Sequence, residues 1–278
     1  MRLAVVGHVE WVDFLVAERL PRPGEILHVR SAHEGPAGGG GMAASAMRSL
    51  TGGCAFYCAV GDDARGRRTA EGLAAAGIDV HAAARPVGQR RIVTYLTDDG
   101  ERTITVLGAR LMPLGADPLP WDRLADADGV YLTLGDAGAV RAARAARVLV
   151  ATPRARDALI ASGAGVDALV GSAADPGEAV DDQLVAATRP RFVVRTEGAR
   201  GGAWRAADGT AGRWDAAPLP GAPVDAYGCG DAFAAALTAG LAAGWTIAEA
   251  CAMAARVGAA LLCRRAPAVG DLAPLLTP

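Results

Sequence analysis

Short apolar runs alternate with longer helix-like stretches along almost the whole chain, and no other feature narrows the fold so far. Residues 3–6, 54–60, 129–134, 147–151, 168–171 and 192–196 read as strands. Residues 42–50 and 64–76 read as helices, with Gly77 placed to close the second in the left-handed conformation. Two further helices end the chain, and Thr246-x-x-Glu249 forms a capping box at the start of the second. Alternation of this kind predicts an α/β fold of βαβ units, with helices on the faces of a sheet and ligands at the strands' carboxyl ends.

Two pieces break the alternation. Residues 14–31 carry Pro21, Pro23 and Gly24 and do not read as a helix. Residues 91–107 read as a hairpin, in which Ile92 to Leu96 and Thr103 to Val106 flank Asp98-Asp99-Gly100 at the turn. Together, about 14–33 and 90–107, they are expected to form a small strand layer over the end of the sheet, a lid on a single domain of residues 1–278.

The stretch Asp225-Ala226-Tyr227-Gly228-Cys229-Gly230-Asp231 carries the chemistry, because an Ala-rich helix follows it directly. Glycines there let a ligand approach the main chain. The N–H groups of Gly228, Cys229, Gly230 and Asp231 would stand at a helix N-terminus, which favours an anion. Asp231 beside that site is placed to accept the proton of an attacking hydroxyl, so the arrangement reads as phosphoryl transfer to an alcohol. Cys229 is expected to act through its N–H and not its thiol. A plain loop with an aspartate cap is the alternative reading of these residues. The run Gly38-Gly39-Gly40-Gly41 lies between strand and helix, where backbone meeting a ligand fits better than a flexible linker.

Composition excludes several classes. The 278 residues are 51% hydrophobic with a formal net charge of −2 and no basic stripe, which argues against nucleic acid. No apolar run is long and uncharged enough to span a bilayer, and the first apolar run is too short for a signal peptide, so a cytoplasmic protein is expected. Five scattered cysteines, Cys54, Cys58, Cys229, Cys251 and Cys263, read as free thiols. The chain has no lysine and no asparagine, and all 28 of its Lys+Arg residues are arginine. A phosphate-binding loop with Gly-Lys-Ser/Thr is therefore impossible, and cationic work falls to arginine.

The motifs and their order resemble the ribokinase-like, or PfkB, family of carbohydrate kinases, over nearly the whole length. The first family motif is similar to Gly38-Gly39 through Gly52 followed by Val60-Gly61-Asp62-Asp63-Ala64-Arg65-Gly66, and the second to Asp225 through Asp231. Arg19 to Glu25 resembles the approach to the family's lid, and Thr196-Glu197-Gly198-Ala199-Arg200-Gly201 its nucleotide loop. The resemblance implies a doubly wound, mainly parallel sheet sandwiched by helices with a small inserted β lid. It implies ATP, Mg²⁺ and in some members a monovalent cation activator. It implies Asp231 as general base, the Gly228–Gly230 amides as anion hole, and Thr196, Gly198, Gly201 and Asp225 on the nucleotide side. Asp13, Gly38, Gly39, Gly40 and Ala43 would line the sugar site, although Gly7 to Asp13 is one residue longer than usual. Ala43 stands where many members carry Asn, and Ser172-Ala173-Ala174-Asp175 where they carry Asn-x-x-Glu, so Asp175 is the implied metal-side carboxylate. Ala226 replaces the usual threonine.

The expected activity is thus ATP-dependent phosphoryl transfer to a hydroxyl of a sugar or sugar-like molecule. A nucleoside kinase on the same scaffold is the alternative, which the low aromatic content disfavours; a binding relative without catalysis is another. Smaller expectations accompany these. Asp63 caps a helix after Asp62, and Asp225 serves either as a turn cap or as a site residue. His8, Glu10 and Trp11 follow the first strand, where they can shape substrate choice. Arg90, Arg91 and Arg102 read as a solvated face, the alternative being that one of them meets a phosphorylated substrate. The lid strands are expected to pair two copies of the chain.

Overall fold

The computed structural model describes residues 1–97 and 102–278. Nine strands form one sheet in the order β13-β12-β11-β10-β9-β8-β1-β4-β5. They are β1 (Leu3–Val6), β4 (Ala55–Gly61), β5 (Asp79–Arg85), β8 (Gly129–Leu132), β9 (Val148–Ala151), β10 (Ala168–Ser172), β11 (Phe192–Thr196), β12 (Gly202–Ala206) and β13 (Ala211–Trp214). The seven strands from β11 to β5 run parallel, and β12 and β13 extend that sheet antiparallel at one edge. The central strands are apolar on both faces, as a sheet covered on both sides requires.

Helices α1 (Gly38–Thr51), α6 (Cys229–Ala242) and α7 (Ile247–Leu262) bury one face of the sheet; α3 (Ala137–Ala143), α4 (Arg156–Ser162) and α5 (Asp182–Thr188) cover the other. α2 (Ala64–Ala75) lies along β4 and β5, capped by Asp63, whose side chain accepts from the Gly66 N–H. α6 and α7 pack closely because their contact is made of small residues. A β-carbon placed on Gly240 would lie 2.9 Å from Cβ of Ala250.

A second sheet, in the order β3-β2-β6-β7, stands over the end of the first. It is built from β2 (Glu10–Val16), β3 (Ser31–Ala37), β6 (Arg91–Leu96) and β7 (Arg102–Leu107). The hairpin of β6 and β7 is antiparallel, as the sequence predicts, while its Asp98-Asp99-Gly100 turn lies outside the described residues. β2 starts earlier than the sequence suggests and pairs parallel with β6. One face of β2 carries Val12 and Phe14, and Phe14 packs edge-on against Tyr227 with ring centroids 5.2 Å apart. That contact seats the lid on the loop before α6.

Three local readings change. The four glycines are not a loop ahead of α1 but its first turn, since the helix begins at Gly38. Strands β5, β12 and β13 were not legible as strands. Arg90 is not on a solvated face: it is 8% exposed and ion-paired with Glu10, Nε to Oε1 2.6 Å.

Candidate active site

The carboxyl ends of β1, β8, β9, β10 and β11 deliver His8, Thr133, Arg154, Ser172 and Thr196 to one edge of the sheet, where α6 begins. Gly228 caps α6 with φ +77°, a left-handed conformation that favours glycine, and a β-carbon there would lie 2.8 Å from two carbons of Met42. The Cys229 N–H is aimed at the Ala226 carbonyl at 3.4 Å rather than at a ligand. This departs from the anion-hole role expected of it and leaves the amides of Gly230 and Asp231 as the first-turn donors for an anion. A β-carbon on Gly230 would meet nothing within 4 Å, so this turn borders open space. Burial holds the Cys229 thiol protonated, pushed up to about 12, so the sulfur is no nucleophile.

Asp231, in the first turn of α6, faces the first turn of α1. A β-carbon on Gly39 would lie 2.9 Å from Asp231 Oδ1 and 3.2 Å from His8 Cε1. The glycine run thus keeps a side chain out of the space beside the carboxylate. Gly38 donates its N–H to the Tyr227 hydroxyl at 3.1 Å, tying α1 to the α6 loop. A β-carbon on Gly40 would lie 2.5 Å from the His8 carbonyl, so Gly40 is needed for packing under the site. Ala43 is fully buried in the core and does not reach the cleft, so its expected place at the sugar is not supported.

Burial raises the Asp231 carboxyl to about 7, and the negative charge of Glu178 adds to this, against Arg154 and Arg102. A carboxyl poised near neutrality suits a general base. His8 is the opposite case. Burial and the charges of Arg110, Arg90 and Arg154 lower it to about 3, so it is neutral. Its Nε2 accepts the Gly39 N–H at 3.3 Å, which puts the proton on Nδ1, and Nδ1 is buried without a partner.

Asp13 is not brought into this cluster. Side chains alternate along β2, so Glu10, Val12 and Phe14 share the inner face and Asp13 lies on the other. There it binds Arg91, Nε to Oδ2 2.5 Å, near Trp11, whose indole N–H donates to Glu34 at 3.0 Å. The one-residue extension after Gly7 is the reason, because a shift of one turns a strand residue to the opposite face. Glu10, which the sequence reading placed only as a shaping residue, takes the inner position beside Gly38.

Asp225 is 5% exposed and engages two backbone amides, Tyr227 N–H at 2.8 Å and Ala266 N–H at 3.2 Å. It fastens the loop before α6, with one carboxylate oxygen on each amide. Asp175 caps a short turn through the Gly177 N–H at 2.9 Å and is ion-paired with Arg154. The carboxylate that acts most strongly on Asp231 is instead Glu178, which accepts from the Ser172 N–H at 2.7 Å and from Arg154 Nε at 2.8 Å. Sequence reasoning missed Glu178 because it followed the Asn-x-x-Glu spacing, which ends three residues earlier.

Thr196 ends β11 beside Ser172 of β10, and the loop after it contains Gly198 at φ +59° and Gly201 at φ +75°. A β-carbon on Gly201 would lie 2.0 Å from the Trp214 carbonyl oxygen. Gly201→Ala is therefore expected to destabilise the protein by about 1–3 kcal/mol through backbone strain; an unchanged midpoint in chemical unfolding would contradict this. A surface cavity of about 330 Å³, lined by Met1, Cys54, Gly77 and Asp79 among others, lies at the amino ends of the strands, away from these groups.

Solved structures of known proteins share this fold. A solved microbiome-derived acarbose kinase is 24% identical and superposes with a TM-score of 0.82 over 99% of this chain and 97% of that one. Ribokinase from Arabidopsis thaliana, solved with ribose and ATP, is 20% identical with a TM-score of 0.74 over 99% of this chain and 98% of that one. An ATP-dependent ribose-1-phosphate kinase from Halopiger xanaduensis is 28% identical over 135 residues, 48% of this chain and 46% of that protein. The match thus spans about half the length of that curated relative. The pfkB family carbohydrate kinase pattern matches residues 1–270, so the chain belongs to that family and is a carbohydrate kinase.

Proposed function

We propose that the protein transfers the γ-phosphoryl group of ATP to a hydroxyl of a sugar or sugar-like molecule, with Asp231 as the general base. The observation that carries the reading is Asp231 in the first turn of α6, beside first-turn amides and facing the side-chain-free space at Gly39. The acceptor hydroxyl oxygen forms a bond to phosphorus, its proton goes to Asp231, and the bond between the γ-phosphorus and the departing ADP oxygen breaks. The amides of Gly230 and Asp231 stabilise charge on the group in flight. Gly198, Gly201 and Thr196 give the nucleotide a place at the ends of β10 and β11. ADP release across a panel of sugars and nucleosides tests the reading: turnover confined to nucleosides would replace it with the nucleoside-kinase alternative. Phe14 and Tyr227, the aromatic pair at the lid, are buried, 0% and 9% exposed, which leaves a base little ring face to stack on.

The residues fit Mg²⁺ as it binds with nucleotides. Among the described residues no three His, Cys, Asp or Glu side chains form a ready-made cage, and Mg²⁺ is commonly held by one or two carboxylates with phosphate and water. Glu178 and Asp175, both on Arg154, are the groups that would hold it. When bound with ATP, Mg²⁺ neutralises charge on the phosphate oxygens. Removing Glu178 is expected to raise the Mg²⁺ concentration for half-maximal rate more than removing Asp175, because Glu178 is the carboxylate whose charge acts most strongly on Asp231. The reverse order in a metal titration of Glu178→Ala and Asp175→Ala would return the role to Asp175.

The lid also offers a surface for a second copy. β7 is the last strand of its sheet, and Ile104, Val106 and Leu107 on it are 44%, 48% and 44% exposed. An apolar edge strand of this kind favours pairing with another chain. Light scattering is expected to give a dimer at micromolar concentration, converted to monomer in Val106→Lys; a monomeric parent chain would refute the pairing.

A further inference from the structure

Arg264 leaves the end of α7 and folds back onto the chain that follows it. Its Nη1 donates to the Val269 carbonyl and its Nη2 to the Asp271 carbonyl at 3.4 Å. Among the described residues it pairs with no carboxylate, so its charge is spent on main-chain oxygens. Gly270, at φ +61°, makes the room: a β-carbon there would lie 1.3 Å from Arg264 Nη1. The guanidinium thus gives shape to a strap, residues 264–272, that is neither helix nor strand.

The strap meets three parts of the site. The Ala266 N–H donates to Asp225 Oδ2 at 3.2 Å, and Asp225 Oδ1 accepts from the Tyr227 N–H at 2.8 Å, just before Cys229 opens α6. The Ala266 carbonyl accepts from His33 Nε2 at 2.6 Å, and Pro267 Cγ lies 3.3 Å from the β-carbon position of Gly35; both partners are on the lid strand β3. Ser49 of α1 donates its hydroxyl to the Gly270 carbonyl and accepts the Leu272 N–H at 2.9 Å. Lid, α1 and the turn of α6 are therefore joined through one segment whose shape Arg264 holds.

A monovalent cation is held where a ring of oxygens replaces its water. The oxygens behind the α6 turn do not fit that role. The Leu262 carbonyl accepts from the Val224 and Asp225 amides at 2.7 and 3.1 Å. Each Asp225 carboxylate oxygen accepts one amide, the Val269 and Asp271 carbonyls accept from Arg264, and the Gly270 carbonyl accepts from Ser49. A guanidinium brings the same single charge, fixed to the chain and never lost at working pH.

Resting on the reading of the α6 turn as the place of phosphoryl transfer, we infer that Arg264 is a positioning residue, the resident cation that orders the strap and, through Ala266 and Asp225, the turn that carries Asp231. Turnover then needs no added monovalent cation, although the family resemblance implies such an activator for some members.

The test uses potassium, sodium and tetramethylammonium chlorides at constant ionic strength and Mg²⁺. ADP release with the best acceptor gives the rate, and the melting temperature reports cation binding without turnover. In the native protein the rate is expected to stay within about twofold across the three salts, with no rise in melting temperature peculiar to potassium or sodium. Arg264→Ala is expected to lose about tenfold in kcat, the scale of a charge-assisted hydrogen bond, and to regain part of it when guanidinium is added far below unfolding concentrations. Arg264→Lys, which keeps the charge, should lie between the two. A native rate that rises about fivefold or more with potassium or sodium, or a melting temperature that climbs with either, would overturn the inference. So would an Arg264→Ala protein that melts lower yet keeps the native kcat, or a loss that guanidinium does not repair. If Arg264→Ala does not fold, the native salt series and Arg264→Lys decide. Absence of turnover with every acceptor would sink the reading of Asp231, and the melting series would still decide the role of Arg264.

Discussion

Asp231→Asn is expected to lower kcat by about 10²–10⁴ while nucleotide affinity changes by less than about threefold, because the amide keeps the shape but cannot accept the hydroxyl proton. The proposed phosphate donors at the start of α6 are main-chain amides and survive the substitution. A single-turnover measurement with the best acceptor, alongside nucleotide binding by calorimetry, separates the two effects. A rate within about threefold of the parent would remove Asp231 from the role of base. The same variant carries a stability signature. The Asp231 carboxyl titrates at about 7 in the folded chain, above the ordinary carboxylate value, mainly because burial disfavours its charge. A raised folded value means the folded state binds the proton more tightly than the unfolded chain, so stability falls as pH rises between the two values. Asparagine carries no such charge. Asp231→Asn should therefore have the higher melting temperature above pH 7, with the advantage vanishing near pH 4. A lower melting temperature at pH 8 would show that the carboxylate is held by favourable contacts and is not strained.

The second large effect concerns pH. A general base works only when ionised, so kcat/KM should fall tenfold for each pH unit below about 7, the value to which Asp231 is raised. Between pH 7 and pH 5 the expected loss is therefore on the order of 10². Glu178 contributes to this through its like charge, and Arg154 and Arg102 oppose it. Glu178→Gln at saturating Mg²⁺ should move the acid limb to lower pH, since one repulsive charge is gone and Arg154 remains. A profile flat from pH 5 to 8, or an acid limb that moves upward in Glu178→Gln, would show that Asp231 does not set the pH dependence.

The main strands and the long helices of this chain were legible because they rest on local chemistry. Apolar runs such as Leu3–Val6 and Gly129–Leu132 are buried on both faces, and nothing but a covered parallel sheet accommodates them in alternation with helices. Gly228, Gly230 and Asp231 were legible for the same reason: a helix N-terminus, a left-handed residue and a carboxylate within four positions are a local arrangement. The failures have a common cause. Asp13 and Ala43 were placed by alignment to a pattern, yet one extra residue after Gly7 turns Asp13 to the outer face of β2, and helix packing buries Ala43. Asp225 was placed with the nucleotide, but the backbone it must satisfy includes Ala266, forty-one positions away.

The sequence by itself determined the layered α/β architecture, the glycine turn that opens α6 and the aspartate within it, because each depends on residues close together in the chain. Only the tertiary structure decided which charges meet. Glu178 acts on Asp231 from the turn after β10, and Arg90 is buried on Glu10. Those outcomes depend on strand register and on which carboxylate lies nearest each guanidinium, and a pairing between residues about eighty positions apart leaves no trace in local pattern.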